Sequence, residues 1–484
     1  MAMTMLVQLY TSRVILNILG VTDFGIWNLV ASVVVSISFI TGPLTIATQR
    51  FISFELGKKD FEAVRTVFSQ SILLYLFFAG FIVIVLETAG LWFLNNKLHI
   101  PESSIGIANI VFQLSIASFI FTLIRMPYDA TIIANEKMDF YAYMSIADVV
   151  LKLGIVYLLL VFKRLPHLAV YAVLTLFVNF LIMLIYRLYC RNKFPSQTKI
   201  NFKVEKKTMK SMTSFFGWSL MGAFSVMTAN QGVSMVLNVF FGVVINATVG
   251  IATQVGNAVN QFIGNFQTAF NPQIVKSYAG NDESRFISLI INCCRISYCL
   301  MMLASVPLIF NMESILRFWL GQIPEYLTVF CQLTLAYMII DVVSSAINMG
   351  IYATGKIRGY QIAVSVCILM VLPLSYLALK IGFDAPSVII VRLLVSVISL
   401  AIRVITIGRN VSGPIVSRFL KLIPKMILIG IIAVSVPYLL LRNIETSWFI
   451  SFVVDLLWAA GVIYFIGINK AERNLIKKTV FRHP

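Results

Sequence analysis

The chain contains fourteen apolar stretches that are each long enough to cross a lipid bilayer as an α-helix. One crossing needs about 20 predominantly apolar residues, because a helix rises about 1.5 Å per residue. Backbone amides in hydrocarbon must bond to one another, so the predicted fold class is an all-α, polytopic membrane protein. The predicted spans are residues 2–19, 24–48, 67–94, 105–124, 141–162, 167–187, 213–241, 246–270, 287–310, 325–347, 360–380, 387–408, 420–441 and 447–468.

Composition and charge agree with a membrane protein. Of 484 residues, 59% are hydrophobic and 12% charged, and the mean hydropathy is +0.90, whereas a soluble protein of this size needs more polar surface. The net charge of +18 need not indicate nucleic acid. With a cytoplasmic N-terminus, the inner connections hold 27 Lys and Arg residues and the outer ones six. Basic residues favour the cytoplasmic side, so both termini are predicted to be cytoplasmic and no nucleic-acid partner is expected.

The longest polar insert divides the spans into sets of like orientation. The sequence predicts an N-terminal six-helix bundle (1–189), a basic cytoplasmic loop (190–212), a C-terminal six-helix bundle (213–408), and two extra helices with a basic cytoplasmic tail (409–484). An internal repeat supports this division. Two matched blocks in the same order predict a duplicated six-helix unit. The blocks are Leu16-Asn17 with Gly20 against Leu237-Asn238 with Gly242, and Gly57 to Asp60 against Gly280 to Asp282.

The eighth span carries a polar stripe on about a third of the helix circumference. Amides in hydrocarbon lose water and usually need partners, so the stripe is predicted to line a water-filled cleft. The alternative is that small and polar residues simply let neighbouring helices approach each other. The stripe consists of Asn246, Gly250, Gln254, Asn257, Gln261, Asn265 and Thr268.

Several short motifs resemble those of the Wzx-type lipid-linked oligosaccharide flippases, in the polysaccharide exporter branch of the MATE/MOP superfamily. The resemblance implies two six-helix bundles around a central cavity, with two further C-terminal helices, in a bacterial inner-membrane protein. The motifs are Leu9-Tyr10-Thr11-Ser12-Arg13, Leu16-Asn17-Ile18-Leu19-Gly20, Asp23-Phe24-Gly25-Ile26-Trp27, Ala47-Thr48-Gln49-Arg50-Phe51, Pro127-Tyr128-Asp129-Ala130, Asn135-Glu136-Lys137-Met138 and Ala269-Phe270-Asn271-Pro272-Gln273.

The implied function is the flipping of undecaprenyl-pyrophosphate-linked oligosaccharide units by alternating access, and not an enzymatic reaction. The implied partners are this substrate, membrane lipids, a polysaccharide polymerase, a chain-length regulator, and H+ or Na+ as coupling ion. No cofactor is expected. No metal site is expected either, because the six cysteines and the three histidines show no zinc-like pairing.

Charges inside the spans supply further candidates for the cavity. Arg13 and Arg50 would suit a diphosphate, because guanidinium is a planar and permanently charged fork; Arg50 also lies where basic residues normally gather. Arg295 is predicted either to line the cavity or to make an interhelical hydrogen bond. Asp341 is the candidate carboxylate for the coupling ion. Arg392 and Arg403 lie near helix ends and are expected to snorkel, with their charges reaching the interface.

Asp148 and Lys152 lie one helical turn apart in the fifth span, so their charges can neutralise each other. The pair is predicted to be either a structural ion pair or a switch in the cavity that a proton or a substrate anion breaks. Both residues are therefore included among the substrate-binding candidates, together with Gln254, Asn257, Gln261 and Asn265.

Other function classes stay open at this point. A flippase for another lipid-linked precursor and a multidrug antiporter are compatible with the same pattern. A membrane-embedded glycan polymerase fits less well, because the outer loops are short and carry no cluster of catalytic acids or histidines. A scaffold could use the basic insert for docking, although anionic lipid headgroups explain that charge more simply.

Overall fold

The structure, a computed structural model, describes residues 2–98, 100–159, 166–201, 204–439, 447–470 and 472–474. In these ranges all regular secondary structure is helical, which confirms the predicted all-α class. The helices are α1 (Ala2–Val35), α2 (Thr41–Gly57), α3 (Phe61–Val85), α4 (Leu91–Asn96), α5 (Glu102–Ala134), α6 (Met138–Leu159), α7 (His167–Lys193), α8 (Pro195–Thr198), α9 (Lys206–Ala279), α10 (Glu283–Leu320), α11 (Leu327–Thr354), α12 (Arg358–Leu369), α13 (Val371–Ile381), α14 (Ser387–Asn410), α15 (Ile415–Leu439) and α16 (Trp448–Val462).

The described part of the chain has 11 helices that are long and apolar enough to cross a membrane, or up to 12 if the bent pair Thr22–Val34 and Ser38–Gly57 counts as one span. The protein is therefore a multi-pass membrane protein. These 11 helices coincide with predicted spans. The predicted span 246–270 is helical but less apolar than the others, because the amides of its stripe lower its hydropathy. The predicted span 2–19 lies in α1, and most side chains of residues 2–19 are outside the described residues.

The chain divides into two compact units, Met1–Ala223 and Phe224–Pro484. In the first unit, α5 packs against α1, α2, α3 and α7. In the second unit, α10 packs against α11, α15 and α16, and α11 also packs against α14. The division falls inside α9, whereas the sequence pattern placed it at the polar insert 190–212. Much of that insert is ordered, since α7 reaches Lys193 and α8 follows directly.

Each unit contains a long helix that is interrupted at one glycine. Gly20 in α1 has φ 77° and ψ 169°, and Gly242 in α9 has φ 79° and ψ −168°. This backbone conformation is essentially restricted to glycine, because a Cβ atom would clash. These are the two glycines of the internal sequence repeat, and their shared conformation supports a duplicated unit.

The second block of the internal repeat forms the same turn in both units. Lys59 and Asn281 adopt left-handed backbone conformations, with φ 62° and 57°. The next residue then caps a helix: the Asp60 carboxylate accepts a hydrogen bond from the Ala63 amide, and Asp282 accepts one from the Arg285 amide, both at 3.0 Å. Such side-chain acceptors satisfy amides that have no partner at a helix N-terminus.

Candidate functional site

The polar stripe of the eighth span lies on an exposed face of α9, after the break at Gly242. Gln254, Asn257 and Gln261 are exposed, and Asn265 is half-buried. At the start of the stripe, Asn246 accepts a hydrogen bond from the Ser234 hydroxyl on the other side of the break. Three amide side chains are therefore presented together, along about two turns of one membrane helix.

The opposite face of the same segment is fastened to α10 and α11. Gln267 is buried, and its side-chain amide donates to the Ser297 hydroxyl at 3.0 Å and to the Val342 carbonyl at 2.9 Å. At Gly256 a Cβ atom would lie 2.7 Å from Met338 and 2.8 Å from Thr334, so α9 and α11 are in close contact there. Because the opposite face of the segment is bonded to and packed against α10 and α11, the stripe is held in one orientation.

The two arginines predicted to bind phosphate differ in what the structure describes. Arg13 lies in α1, and its side chain is outside the described residues. Arg50 in α2 is buried, and its guanidinium carbon lies 4.6 Å from the ring centroids of both Phe51 and Phe54, and 5.8 Å from that of Phe215. A guanidinium gains cation–π attraction over aromatic rings, which offsets part of the cost of removing it from water.

Asp148 and Lys152 form the predicted ion pair on α6, at 2.8 Å. Lys152 keeps 45% of its side chain exposed and Asp148 keeps 26%. An ion pair with this much solvent exposure contributes little to stability, so a ligand can displace either partner at a small cost in free energy. The geometry is compatible with both the structural role and the switch.

Arg295 makes interactions inside its own unit. Its side chain is buried, and it donates to the Gly467 carbonyl at 2.6 Å and to both carboxylate oxygens of Glu472. A further bond reaches the Asn292 side chain at 3.3 Å. Arg295 therefore anchors the segment that follows α16, and its place in a transport cavity stays a prediction.

Asp341 lines a cavity of about 230 Å³ inside the second unit. Arg392 and Arg403 line the same cavity, although their positions near helix ends had suggested that they snorkel. The Arg392 guanidinium lies 4.7 Å from the ring centroid of Tyr337 and donates to Asn230. Both arginines thus point inward, and the cavity combines one carboxylate with two cations.

Sequence periodicity could have revealed this cavity. Asp341, Ser345 and Asn348 recur at steps of four and three residues on α11, and Arg392, Ser396, Ser399 and Arg403 recur at steps of four, three and four on α14. Such spacing places residues on one face of a helix. The Asn348 side-chain carbonyl and the Ser396 hydroxyl are buried, and neither has a hydrogen-bond partner among the described residues. Water or an ion could satisfy these two oxygens.

A fully buried carboxylate lies on α16. Asp455 is fully buried, and the side-chain amide of Asn311 donates to it at 2.7 Å and to the Pro307 carbonyl at 3.0 Å. The other oxygen of Asp455 has no partner in the part of the chain that the structure describes. Its partner Asn311 lies 144 residues away along the chain, so local sequence patterns do not indicate this pair.

Comparison with known proteins gives a fold but no family. No protein-family profile and no curated protein matches the chain. Among solved structures, the outward-facing conformation of a multidrug resistance MATE family transporter of the MOP superfamily aligns with a TM-score of 0.71 at 12% identity, covering 85% of this chain and 93% of that one. A crystal structure of MATE in the straight conformation gives 0.70 at 13%, covering 84% and 93%.

A third match is a MOP superfamily transporter from Pyrococcus furiosus, for which the reverse polarity of the binding pocket suggests a different function. Its TM-score is 0.68 at 13% identity, covering 85% of this chain and 93% of that chain. Three matches of this quality over most of both chains show that the protein has the fold of the MATE transporters of the MOP superfamily.

Proposed function

We propose that the protein is an alternating-access transporter for undecaprenyl-pyrophosphate-linked oligosaccharide repeat units. It would move these units, for an O-antigen or for a capsular or extracellular polysaccharide, from the cytoplasmic to the periplasmic leaflet of the inner membrane. The observation that carries the proposal is the row of exposed amides at Gln254, Asn257 and Gln261 on a helix of a transporter fold.

The chemistry of the substrate explains why such a row is useful. The polyprenyl tail can stay in the bilayer, whereas the sugars and the pyrophosphate need a polar route. Side-chain amides both donate and accept hydrogen bonds, so they can replace water around sugar hydroxyl groups. An amide row that faced lipid would carry an uncompensated desolvation cost, which favours a wet passage.

The pyrophosphate requires cations, and Arg13 and Arg50 are the proposed ones. The rings of Phe51 and Phe54 lie 4.6 Å from the guanidinium carbon of Arg50, and contact with them would restrict its orientation. A fork held in one orientation loses less entropy when it binds phosphate oxygens. The open ion pair of Asp148 and Lys152 can exchange its partners for the same anion.

Asp341 is the proposed coupling carboxylate, with H+ or Na+ as the ion. The unpartnered oxygens of Asn348 and Ser396 would suit Na+, whereas a proton needs no ligand besides the Asp341 carboxylate itself. A proton would neutralise Asp341 and release its attraction to the arginines, which is the kind of change that can shift a two-state bundle.

A multidrug antiporter is the second candidate, because one of the similar solved structures is a multidrug resistance transporter. A flippase for another lipid-linked precursor is also compatible with the amide row. A glycan polymerase has less support, since the amide row and the ion pairs supply no nucleophile held by a general base. The substrate therefore has to be identified by an experiment.

The test is depletion of the protein in its native host, followed by mass spectrometry of extracted lipids. The proposal expects undecaprenyl-pyrophosphate-linked oligosaccharide to accumulate, and the wild-type gene to reverse this. The Gln254→Ala/Asn257→Ala/Gln261→Ala variant should fail to reverse it, whereas Phe262→Leu, an exposed apolar position on the same segment, should succeed. Drug hypersensitivity without lipid accumulation would favour the antiporter, and glycosyl transfer by the purified protein would favour the polymerase.

A further inference from the structure

A cationic cavity of about 370 Å³ lies in the first unit, where α7 ends and α8 begins. Arg187, Arg191 and Lys199 line it together with Tyr128 and Thr198, and none of the described residues in its wall is acidic. This cavity lies outside the set of residues that the proposed transport mechanism uses. Three positive charges and no negative one give it a strong preference for anions.

The three cations reach the cavity from two directions. Arg187 and Arg191 are one helical turn apart on α7, so their side chains are neighbours. The chain then reverses at Pro195, which starts α8, and returns Lys199 to the same place. Like charges held this close repel each other, and within the described ranges none of the three forms an ion pair with a carboxylate. An anion in the cavity would remove this repulsion.

Hydrogen bonds fix the backbone that delivers Lys199. The side-chain amides of Asn135 and Gln197 bond to each other in both directions, at 2.9 and 3.3 Å. The Thr198 hydroxyl donates to the Cys190 carbonyl at 3.2 Å, and the Arg65 guanidinium donates to the Lys199 carbonyl at 2.9 Å. The cavity is thus already formed before any ligand binds, which lowers the entropic cost of binding.

The fixed shape separates this cluster from ordinary basic residues of the same region. Lys206, Lys207 and Lys210 follow at the start of α9. They are exposed, as the three cavity cations are, but they lie outside the cavity. A general preference of basic residues for the predicted cytoplasmic side explains all six charges. It does not explain why three of them line one cavity that is braced by four hydrogen bonds.

We propose that this cavity binds a phosphate-bearing anion at the predicted cytoplasmic face of the protein. Arginine forks bond phosphate oxygens in pairs, lysine adds a compact charge, and the Tyr128 phenol can supply a neutral donor. Two sources share this chemistry: the headgroup of an anionic phospholipid, and a soluble diphosphate. The site is independent of which substrate the protein transports.

The test compares two variants of the full-length purified protein that lose the same charge. Arg187→Gln/Arg191→Gln/Lys199→Gln empties the cavity of its cations, and Lys206→Gln/Lys207→Gln/Lys210→Gln removes three exposed ones nearby. In one arm, native mass spectrometry counts bound phosphatidylglycerol against phosphatidylcholine. In the other arm, calorimetry titrates inorganic pyrophosphate into the protein in detergent.

We expect the wild type to bind the anion in at least one arm, the cavity variant to lose about tenfold in affinity, and the exposed-lysine variant less than twofold. Phosphatidylglycerol retention alone identifies a lipid headgroup, and pyrophosphate binding identifies a diphosphate site. Equal losses in both variants, or no anion bound by the wild type in either arm, would overturn the proposal.

A milder variant keeps the test decisive if the triple change prevents folding. Lys199 reaches the cavity with an exposed side chain, while its backbone carbonyl makes the bracing bond, so Lys199→Gln leaves that bond intact. Lys206→Gln is its matched control. A loss of about threefold for Lys199→Gln and none for Lys206→Gln supports the site, and equal behaviour of the two counts against it.

Discussion

The guanidinium of Arg295 in α10 bonds both carboxylate oxygens of Glu472, a residue 177 positions further along the chain. The same guanidinium also reaches the carbonyl of Gly467, at the end of the last span. A two-point ionic contact of this kind fixes direction as well as distance. The segment after α16 is therefore attached to the middle of the second unit, and a buried cation depends on it for neutralisation.

The first prediction concerns the pH dependence of this contact. Burial alone would raise the pKa of Glu472, but hydrogen bonds from Arg295 and from the Asn469 amide, with the positive charges of Arg295 and Lys425, hold that pKa below its ordinary value. A carboxyl with a lowered folded-state pKa adds stability that is fully present above its unfolded pKa and is lost as the pH falls through the folded one. Glu472→Gln should thus lower the thermal midpoint at pH 7.

The measurement is thermal unfolding of the purified wild type and variant between pH 3 and pH 8. We expect the variant to lose about 1 to 2 kcal/mol at neutral pH, because Glu472 is partly exposed and water weakens its interactions. The difference should shrink below about pH 4, near the ordinary pKa of Glu. Glu313→Gln removes the carboxylate of a well exposed pair with Arg317 and should have little effect. A pH-independent difference would contradict the prediction.

The second prediction concerns the buried pair of Asn311 and Asp455. Asn311→Ala removes the only hydrogen-bond partner that the described residues give the Asp455 carboxylate. A buried polar group without a partner costs about 1 to 3 kcal/mol, so the variant should unfold at a lower temperature. Asp455→Asn keeps an oxygen that can accept the same bond and should stay close to the wild type. If both variants unfold alike, the hydrogen bond is not what stabilises α16.

The spans could be predicted from sequence because the length and apolar character of a helix are local properties. Contacts between residues that are far apart in the sequence could not be predicted in this way. Nothing near Arg295 in the sequence indicates Glu472, since a span and a distant tail come together only in the folded unit. The sequence therefore left Arg295 between two interpretations that only its partners could distinguish.

Arg392 and Arg403 show a different reason for failure. They lie near helix ends, which suggested that their charges reach the interface. The direction of a side chain, however, depends on its position around the helix axis. The periodic set of polar residues on α14 contained that information. In the insert 190–212, charge and polarity predicted a loop, but the bonds of Asn135 and Arg65 to this segment order it.

The third prediction tests the amide row as a polar surface. Replacing Gln254, Asn257 and Gln261 by Leu keeps side chains of similar size that favour a helix, but removes their hydrogen-bonding groups. We expect transport of lipid-linked oligosaccharide in proteoliposomes to fall about tenfold or more, with normal membrane insertion. Ala258→Leu, between the same amides, is a control for added bulk. Unchanged transport by the triple variant would show that the row packs against helices or lipid.

The fourth prediction concerns the cations proposed for the pyrophosphate. Arg13→Ala together with Lys152→Ala should reduce export of the glycan without loss of membrane insertion, because the change removes two of the charges proposed to bind the diphosphate. Export is measured as cell-surface polysaccharide, and insertion as protein in the membrane fraction. Lys59→Ala/Lys97→Ala removes the same charge at exposed positions and should export normally. Full export by the Arg13 and Lys152 variant would exclude both residues from the mechanism.

The fifth prediction concerns Asp341 and the coupling ion. If protonation of this carboxylate drives the conformational change, Asp341→Asn mimics the protonated state permanently and uncouples transport from the proton gradient. Proteoliposomes with an imposed pH gradient should show at least about tenfold slower transport by this variant. Asp384→Asn, an exposed acid outside the cavity, should behave as the wild type. A Na+ gradient should then not replace the pH gradient. Transport by the wild type that follows Na+ and ignores pH would assign the oxygens of Asn348 and Ser396 to a sodium site instead.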